Sequence, residues 1–194
     1  HALLNVRGVK VVALLNNISV WWQVIGVAIV VLALIVFPGK HQSASFVFGH
    51  FVNNTGWGSG LYVSLLGLLL AQYTLTGFDA SAHMTEETHD AARSGPRGIV
   101  NSILVSLVAG WILLIGVTFA IQSYSGALGS DTAAPPVQIF LDALGATGGK
   151  LLLLIVIGAQ FFCGMSSVTA HSRMLYSFSR DGASPCSPIL HSLR

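Results

Sequence analysis

The sequence predicts an all-α integral membrane protein, and both its charge content and its long apolar windows lead to this prediction. The chain has 194 residues, of which 53% are hydrophobic and only 8% are charged. Soluble domains carry roughly 25% charged residues, so this composition cannot build a surface that faces water. The alternative is four buried helices of a large soluble protein. It is disfavoured because soluble helices carry a polar face, which these windows lack.

Four windows are apolar enough to cross a membrane, which takes ~20 residues. They are roughly 18–37, 58–78, 99–121 and 150–172, and they contain no Asp, Glu or Arg. We therefore predict four transmembrane helices, with the second continuing as a half-helix to about residue 87. The run PPVQIFLDALG, with Pro first, Gly last and apolar residues on one face, predicts a short amphipathic helix at about 136–144. All of these elements form one partial domain, 1–194.

The basic residues predict the orientation of the spans. With four spans, seven of the nine Lys and Arg residues share one side, and only Lys40 and Lys150 lie opposite. Cytoplasmic loops carry the excess of Lys and Arg, so we expect both termini and the 85–98 loop in the cytoplasm, and the protein in the plasma membrane. The chain begins with His1 and shows no leader-like segment, so we expect a fragment. An outer loop contains Asn53-Asn54-Thr55, the acceptor pattern for N-glycosylation.

A polar interruption follows the second window. Thr76 and Gly77 weaken the helix, and Asp79 is able to cap a new one. A helix broken at membrane depth exposes backbone groups that attract ions and polar ligands, and transporters place substrate sites at such breaks. Two interpretations of Asp79 stay open: a plain cap at the membrane boundary, or a gate, proton acceptor or substrate contact.

Two further groups are candidates for ion or proton coupling. His83 lies four residues after Asp79, and a histidine is able to relay protons near neutral pH. The alternative is a solvated helix end. Ser166 and Ser167 are able to bind a cation such as sodium, or simply to bond back to their own helix.

A metal site is the more distant interpretation of the same region. The candidate ligands by residue type are His83, Glu86, Glu87, His89 and Asp90. No HExxH pattern accompanies them, and Cys163 and Cys186 suggest neither a disulfide framework nor a metal site. We therefore expect no metal, no cofactor, no nucleic-acid partner and no enzyme activity, with a membrane metalloenzyme as the distant alternative.

Three segments resemble a known family. GFDASAHMTEETHDAARSGPRGI (77–99) is similar to the sixth helix and following loop of amino-acid permeases in the amino acid–polyamine–organocation superfamily. QFFCGMSSVTAHSRMLYSFSRDGASP (160–185) is similar to the end of the eighth helix, and NVRGVKVVALLNNISVWWQVIG (5–26) resembles the entry into the fifth. The nearest branch is the amino acid/choline transporter family, which includes GABA permeases.

The resemblance implies a fragment of an inverted-repeat transporter that covers the fifth to eighth helices, with the sixth broken. It implies substrate contacts from Thr76, Gly77, Phe78 and Asp79, and it places Ser166 and Ser167 near the sodium ligands of sodium-coupled relatives. Some proton-coupled relatives use a lysine in the fifth helix, which this sequence lacks, so coupling to H+ or to Na+ stays open. The expected function is secondary transport of amino acids or GABA-like amines. The expected partners of the chain are the lipid bilayer, that substrate and the missing helices of the same permease. Without those helices the fragment is expected to be inactive. Choline or polyamine transport and a non-transporting membrane remnant are the alternatives.

Overall fold

The described residues form helices joined by turns and loops. The computed structural model describes residues 9–85, 88–129, 134–183, 185 and 187, and it shows no strand among them. The helices are α1 (Val9–Val36), α2 (Ala44–Gly49), α3 (Gly60–Thr74), α4 (Ala80–His83), α5 (Ala91–Phe119), α6 (Tyr124–Leu128) and α7 (Pro135–Arg180). The prediction of an all-α membrane protein is confirmed.

Three of these helices, α1, α5 and α7, are long and apolar enough to cross a membrane. Helix α3 has 15 residues, and at ~1.5 Å per residue it is shorter than a hydrocarbon core of ~30 Å. The second predicted window is therefore divided between α3, a turn and α4. The expected half-helix to about residue 87 is also shorter, because α4 ends at His83.

The long helices extend beyond the apolar windows. Helix α1 begins at Val9 rather than near residue 18, and α5 begins at Ala91, inside the expected 85–98 loop. Helix α7 continues to Arg180, and its first part contains the amphipathic helix expected at about 136–144, here named the outer helix. The non-helical Gly145, with a φ of 70°, separates this part from the rest of α7. Hydropathy marks only the stretch that fits lipid, whereas backbone hydrogen bonds continue the helix into polar sequence.

The chain divides into two compact units. The first unit contains residues 1–19, 76–104 and 160–194, and the second contains residues 20–75 and 105–159. Within the second unit, Leu34 of α1 and Ala120 after α5 are fully buried, and Ile139 and Phe140 of the outer helix are buried in the same cluster. The amphipathic face of that helix is therefore packed on the ends of the long helices.

Two glutamines close the same end of the second unit. The backbone N–H of Gln42 donates to the Phe119 carbonyl at 2.9 Å, and its side chain donates to the Ile121 carbonyl at 2.8 Å. In return, Gln122 donates to the Lys40 carbonyl at 2.9 Å. The last carbonyls of a helix have no partner within it. Here the Gln42 backbone N–H satisfies the Phe119 carbonyl at the end of α5, and the Gln42 side chain satisfies the Ile121 carbonyl just after it.

Helix α1 and helix α7 also pack together in the second unit. The Trp22 indole N–H donates to the Ile155 carbonyl at 3.0 Å. Its ring lies so close to Gly158 that an added Cβ would be 2.6 Å away. Only glycine leaves room for the indole there.

Much of the apolar surface faces outward. In the most apolar stretch of α5, only 6% of the residues are buried, and the corresponding shares are 28% in α1 and 17% in α7. Exposed side chains include Leu61 at 74% and Trp21 at 67%. Such a surface is suited to lipid or to further membrane helices rather than to water.

Candidate functional site

The break lies in a tight turn between α3 and α4, within residues 75–79. The Leu75 N–H bonds the Gln72 carbonyl and the Ala80 N–H bonds the Gly77 carbonyl, both at 3.1 Å. Gly77 has a φ of 91°. In the left-handed region an L-residue costs roughly 1–2 kcal/mol. Glycine therefore lets the chain turn here, and it leaves Thr76, Gly77 and Phe78 on the exposed surface of the chain.

Asp79 stands at the N-cap position, directly before α4, but its side chain makes no capping hydrogen bond. Its backbone carbonyl accepts from the Ala82 N–H at 2.8 Å. Its Oδ2 atom lies 3.1 Å from Nε2 of His83, one helical turn on. The capping interpretation thus has no support from the side chain. Two of the four predicted coupling candidates are brought together as a carboxylate–imidazole pair.

The pair is partly open to its surroundings. The His83 side chain is 29% exposed and that of Asp79 is 56% exposed. Glu86 and Glu87, which follow α4 in the sequence, lie outside the described residues.

Two glycines let the segment around α4 approach α5 closely in the first unit. A Cβ added at Gly98 would be 3.1 Å from the Ser81 Cβ, and one added at Gly95 would be 3.1 Å from the Thr85 methyl. Both distances are tighter than ordinary contacts, so the two glycines favour a fixed position for the pair-bearing segment.

Ser166 and Ser167 have different partners. The Ser166 hydroxyl donates to Oδ1 of Asn16 at 3.1 Å, across from α7 to α1. The Ser167 hydroxyl donates to the Cys163 carbonyl of its own helix at 2.9 Å, as membrane hydroxyls commonly do. Only Ser166 therefore joins a polar contact between helices.

Asn16 is the residue of this region that sequence reasoning missed. It lies half-buried in α1, and its backbone carbonyl also accepts from the buried Ser19 hydroxyl at 2.8 Å. The signal was a pair of adjacent asparagines, Asn16 and Asn17, inside an otherwise apolar helix. A polar side chain at such a position usually has a partner on another helix.

Among the described residues, no group of three His, Cys, Asp or Glu side chains is suited to hold a metal ion. Glu86 and Glu87, two of the candidate ligands, lie outside them.

An apolar helix interrupted by a glycine turn and followed by an ionisable pair is typical of membrane transporters. Comparison with known proteins names the family. The amino acid permease family matches residues 1–194, the whole chain, and the chain belongs to this family. The resemblance seen in the sequence is confirmed, and because permeases are transporters, the enzyme alternative is excluded.

Individual relatives have related names. The amino-acid permease BAT1 of Arabidopsis thaliana is 40% identical over 100% of this chain and 39% of its own length. The GABA-specific permease of Saccharomyces cerevisiae is 32% identical over 84% of this chain and 30% of its own length. The choline transporter of the same yeast is 31% identical over 78% and 27%, respectively. No solved structure matches the chain.

The chain thus spans only 27% to 39% of the length of these three relatives. It is a partial permease sequence from an integral membrane protein, with outward-facing apolar helices to match.

Proposed function

We propose that this chain is the central part of a secondary active permease for amino acids or related amines such as GABA. The observation that carries the proposal is the break at residues 75–79, followed at once by the Asp79–His83 pair. Family membership supports transport, and the names of the relatives support amino acids and amines as the substrate class.

In this proposal the break contacts the substrate. The helix ends on either side of the break carry partial charges that are able to attract a zwitterion or an amine, and Phe78 offers an apolar surface that is 45% exposed. Asp79 supplies the negative charge that attracts an ammonium group. Thr76 and Gly77 complete the set of four substrate contacts.

Coupling to H+ or Na+ is part of the same proposal. The Asp79–His83 pair suits a proton, because a carboxylate and an imidazole 3.1 Å apart are able to share one. The Ser166 hydroxyl, which donates to Asn16, keeps its oxygen lone pairs for a cation. Uptake driven by a pH gradient and uptake driven by a sodium gradient distinguish the two ions.

Orientation is also proposed here. With the α3–turn–α4 segment counted as one discontinuous span, four spans place seven basic residues on the cytoplasmic side. Three spans would divide these residues between the two sides. In this proposal the α3–turn–α4 segment is one of the four spans, and its α4 end faces the cytoplasm. The membrane is the plasma membrane.

The test is uptake by liposomes that contain the full-length permease, with labelled GABA, other amino acids, choline and a polyamine supplied one at a time. We expect saturable uptake of an amino acid or GABA, while preference for choline or a polyamine supports that alternative. The 194-residue chain alone is expected to show no uptake, because it spans only 39% of the length of the Arabidopsis permease. Absence of uptake of every substrate by the full-length protein would support a non-transporting membrane protein instead.

A further inference from the structure

We infer that Asn53 is a site of N-linked glycosylation. The loop between α2 and α3 contains Asn53-Asn54-Thr55, the acceptor pattern, with a residue other than proline in the middle. The inference rests on the orientation proposed above, which places this loop on the outer side of the membrane.

The loop is exposed, and the hydrogen bonds of Asn53 are made within it. Residues 51–60 are exposed throughout. The Thr55 hydroxyl and the Thr55 N–H both donate to Asn53 Oδ1, at 2.8 and 3.1 Å. The Asn53 side-chain nitrogen donates to the Trp57 carbonyl at 2.7 Å. Every one of these partners belongs to the same short loop, so an attached oligosaccharide displaces no other helix.

The hydrogen bond from the Asn53 side chain to the Trp57 carbonyl is also compatible with a glycosylated Asn53. In the transfer, the Asn53 side-chain nitrogen forms a bond to the anomeric carbon of an oligosaccharide carried on a polyprenyl diphosphate. The bond between that carbon and the diphosphate oxygen breaks, the lipid diphosphate leaves with the electron pair, and the transferase takes one amide proton. One N–H remains on the nitrogen, which is enough to keep the bond to Trp57.

A second acceptor pattern in the chain gives an internal contrast. Asn17-Ile18-Ser19 has the same spacing, but it lies inside α1, and Ser19 is buried with its hydroxyl bonded to the Asn16 carbonyl. A residue held in a membrane helix is inaccessible to a transferase. The structure therefore assigns the modification to Asn53 and not to Asn17.

The experiment uses the full-length permease produced in yeast. Membrane protein is treated with peptide-N-glycosidase in heavy-oxygen water, which converts a glycosylated asparagine to aspartate with one heavy oxygen atom. Mass spectrometry of the peptides then reads positions 53 and 17. We expect the mass shift at position 53 in the wild type, and its loss in the Asn53→Gln and Thr55→Ala variants.

Two matched controls keep the acceptor pattern at position 53 intact: Asn54→Gln and Asn17→Gln are both expected to retain the mass shift there. An unmodified position 53 in the wild-type protein, or a modified position 17, would overturn the inference. Uptake is measured on the same samples. Normal uptake by a protein with an unmodified position 53 would overturn only the glycosylation inference. Absence of uptake by the wild-type protein would count against the transport proposal.

Discussion

The Ser166 hydroxyl lies 3.1 Å from the Asn16 side-chain oxygen and joins α7 to α1, although 150 positions separate the two residues in the chain. The neighbouring Ser167 hydroxyl stays within its own helix. Two adjacent serines thus have different structural roles, one between helices and one within a helix, and this difference is open to measurement.

Replacing Ser166 with Ala is expected to destabilise the permease. The change removes a hydrogen bond between two membrane helices, which is worth about 0.6 to 2 kcal/mol. Thermal unfolding of the purified full-length protein in detergent measures the loss. The control is Ser167→Ala, which removes only a bond to the Cys163 carbonyl and is expected to leave the unfolding temperature close to that of the wild type. Equal losses in both variants would contradict the assigned difference.

Replacing Asp79 with Asn is expected to reduce uptake about tenfold or more, since a charge-assisted hydrogen bond is worth about 1.5–3 kcal/mol. Asn keeps the shape of the side chain but removes the charge that pairs with His83. Surface expression should stay unchanged.

The control for this variant is Asp142→Asn on the outer helix, where the carboxylate accepts only from Gln138 at 2.7 Å. It is expected to transport normally. Normal uptake by the Asp79 variant would show that its charge has no part in substrate or proton handling.

Replacing Gly77 with Ala tests the turn itself. Nothing lies within 4 Å of an added Cβ, so the expected effect comes only from the φ of 91°. Strain of roughly 1–2 kcal/mol should shift the turn and lower uptake per folded molecule. Gly56→Ala is the matched control, because Gly56 also has a positive φ and open space, but it lies in the outer loop. If both variants transport alike, the shape of the turn is unimportant for function.

Replacing Trp22 with Phe tests the packing of α1 on α7 in the second unit. Phe keeps an aromatic ring but removes the N–H that donates to the Ile155 carbonyl. The free energy of unfolding should fall by about 1 kcal/mol. Trp21→Phe is the control, since the neighbouring side chain is 67% exposed. A larger loss of unfolding free energy in the Trp21→Phe variant than in the Trp22→Phe variant would contradict the described packing.

Sequence reasoning predicted the long helices and the interruption at Gly77 because each depends on local chemistry. A run of apolar residues favours a membrane helix, and glycine is the residue that adopts a positive φ without strain. The outer helix was predicted in the same way, from the spacing of Phe140 and its apolar neighbours.

The partners of the polar residues could not be ranked from sequence. Asp79 sits where it is able either to cap α4 or to pair with His83, and both arrangements have suitable spacing. In the structure the Asp79 backbone is helical, with a φ of −78° and a ψ of −9°, and its side chain makes no capping bond. The side chain pairs with His83 instead. Asn16 was missed because its partner, Ser166, is distant in the chain.

The most direct measurement of the central claim is substrate protection of a cysteine placed in the break. Phe78→Cys is made in the full-length permease with its native cysteines replaced, and the rate of labelling by a thiol reagent is measured in liposomes. Phe48→Cys in the short helix α2, where the native side chain is 67% exposed, is the control. The account predicts that a transported amino acid or amine slows labelling at position 78 and leaves position 48 unchanged. Labelling at position 78 that is indifferent to a substrate that the protein transports would contradict a substrate site at the break.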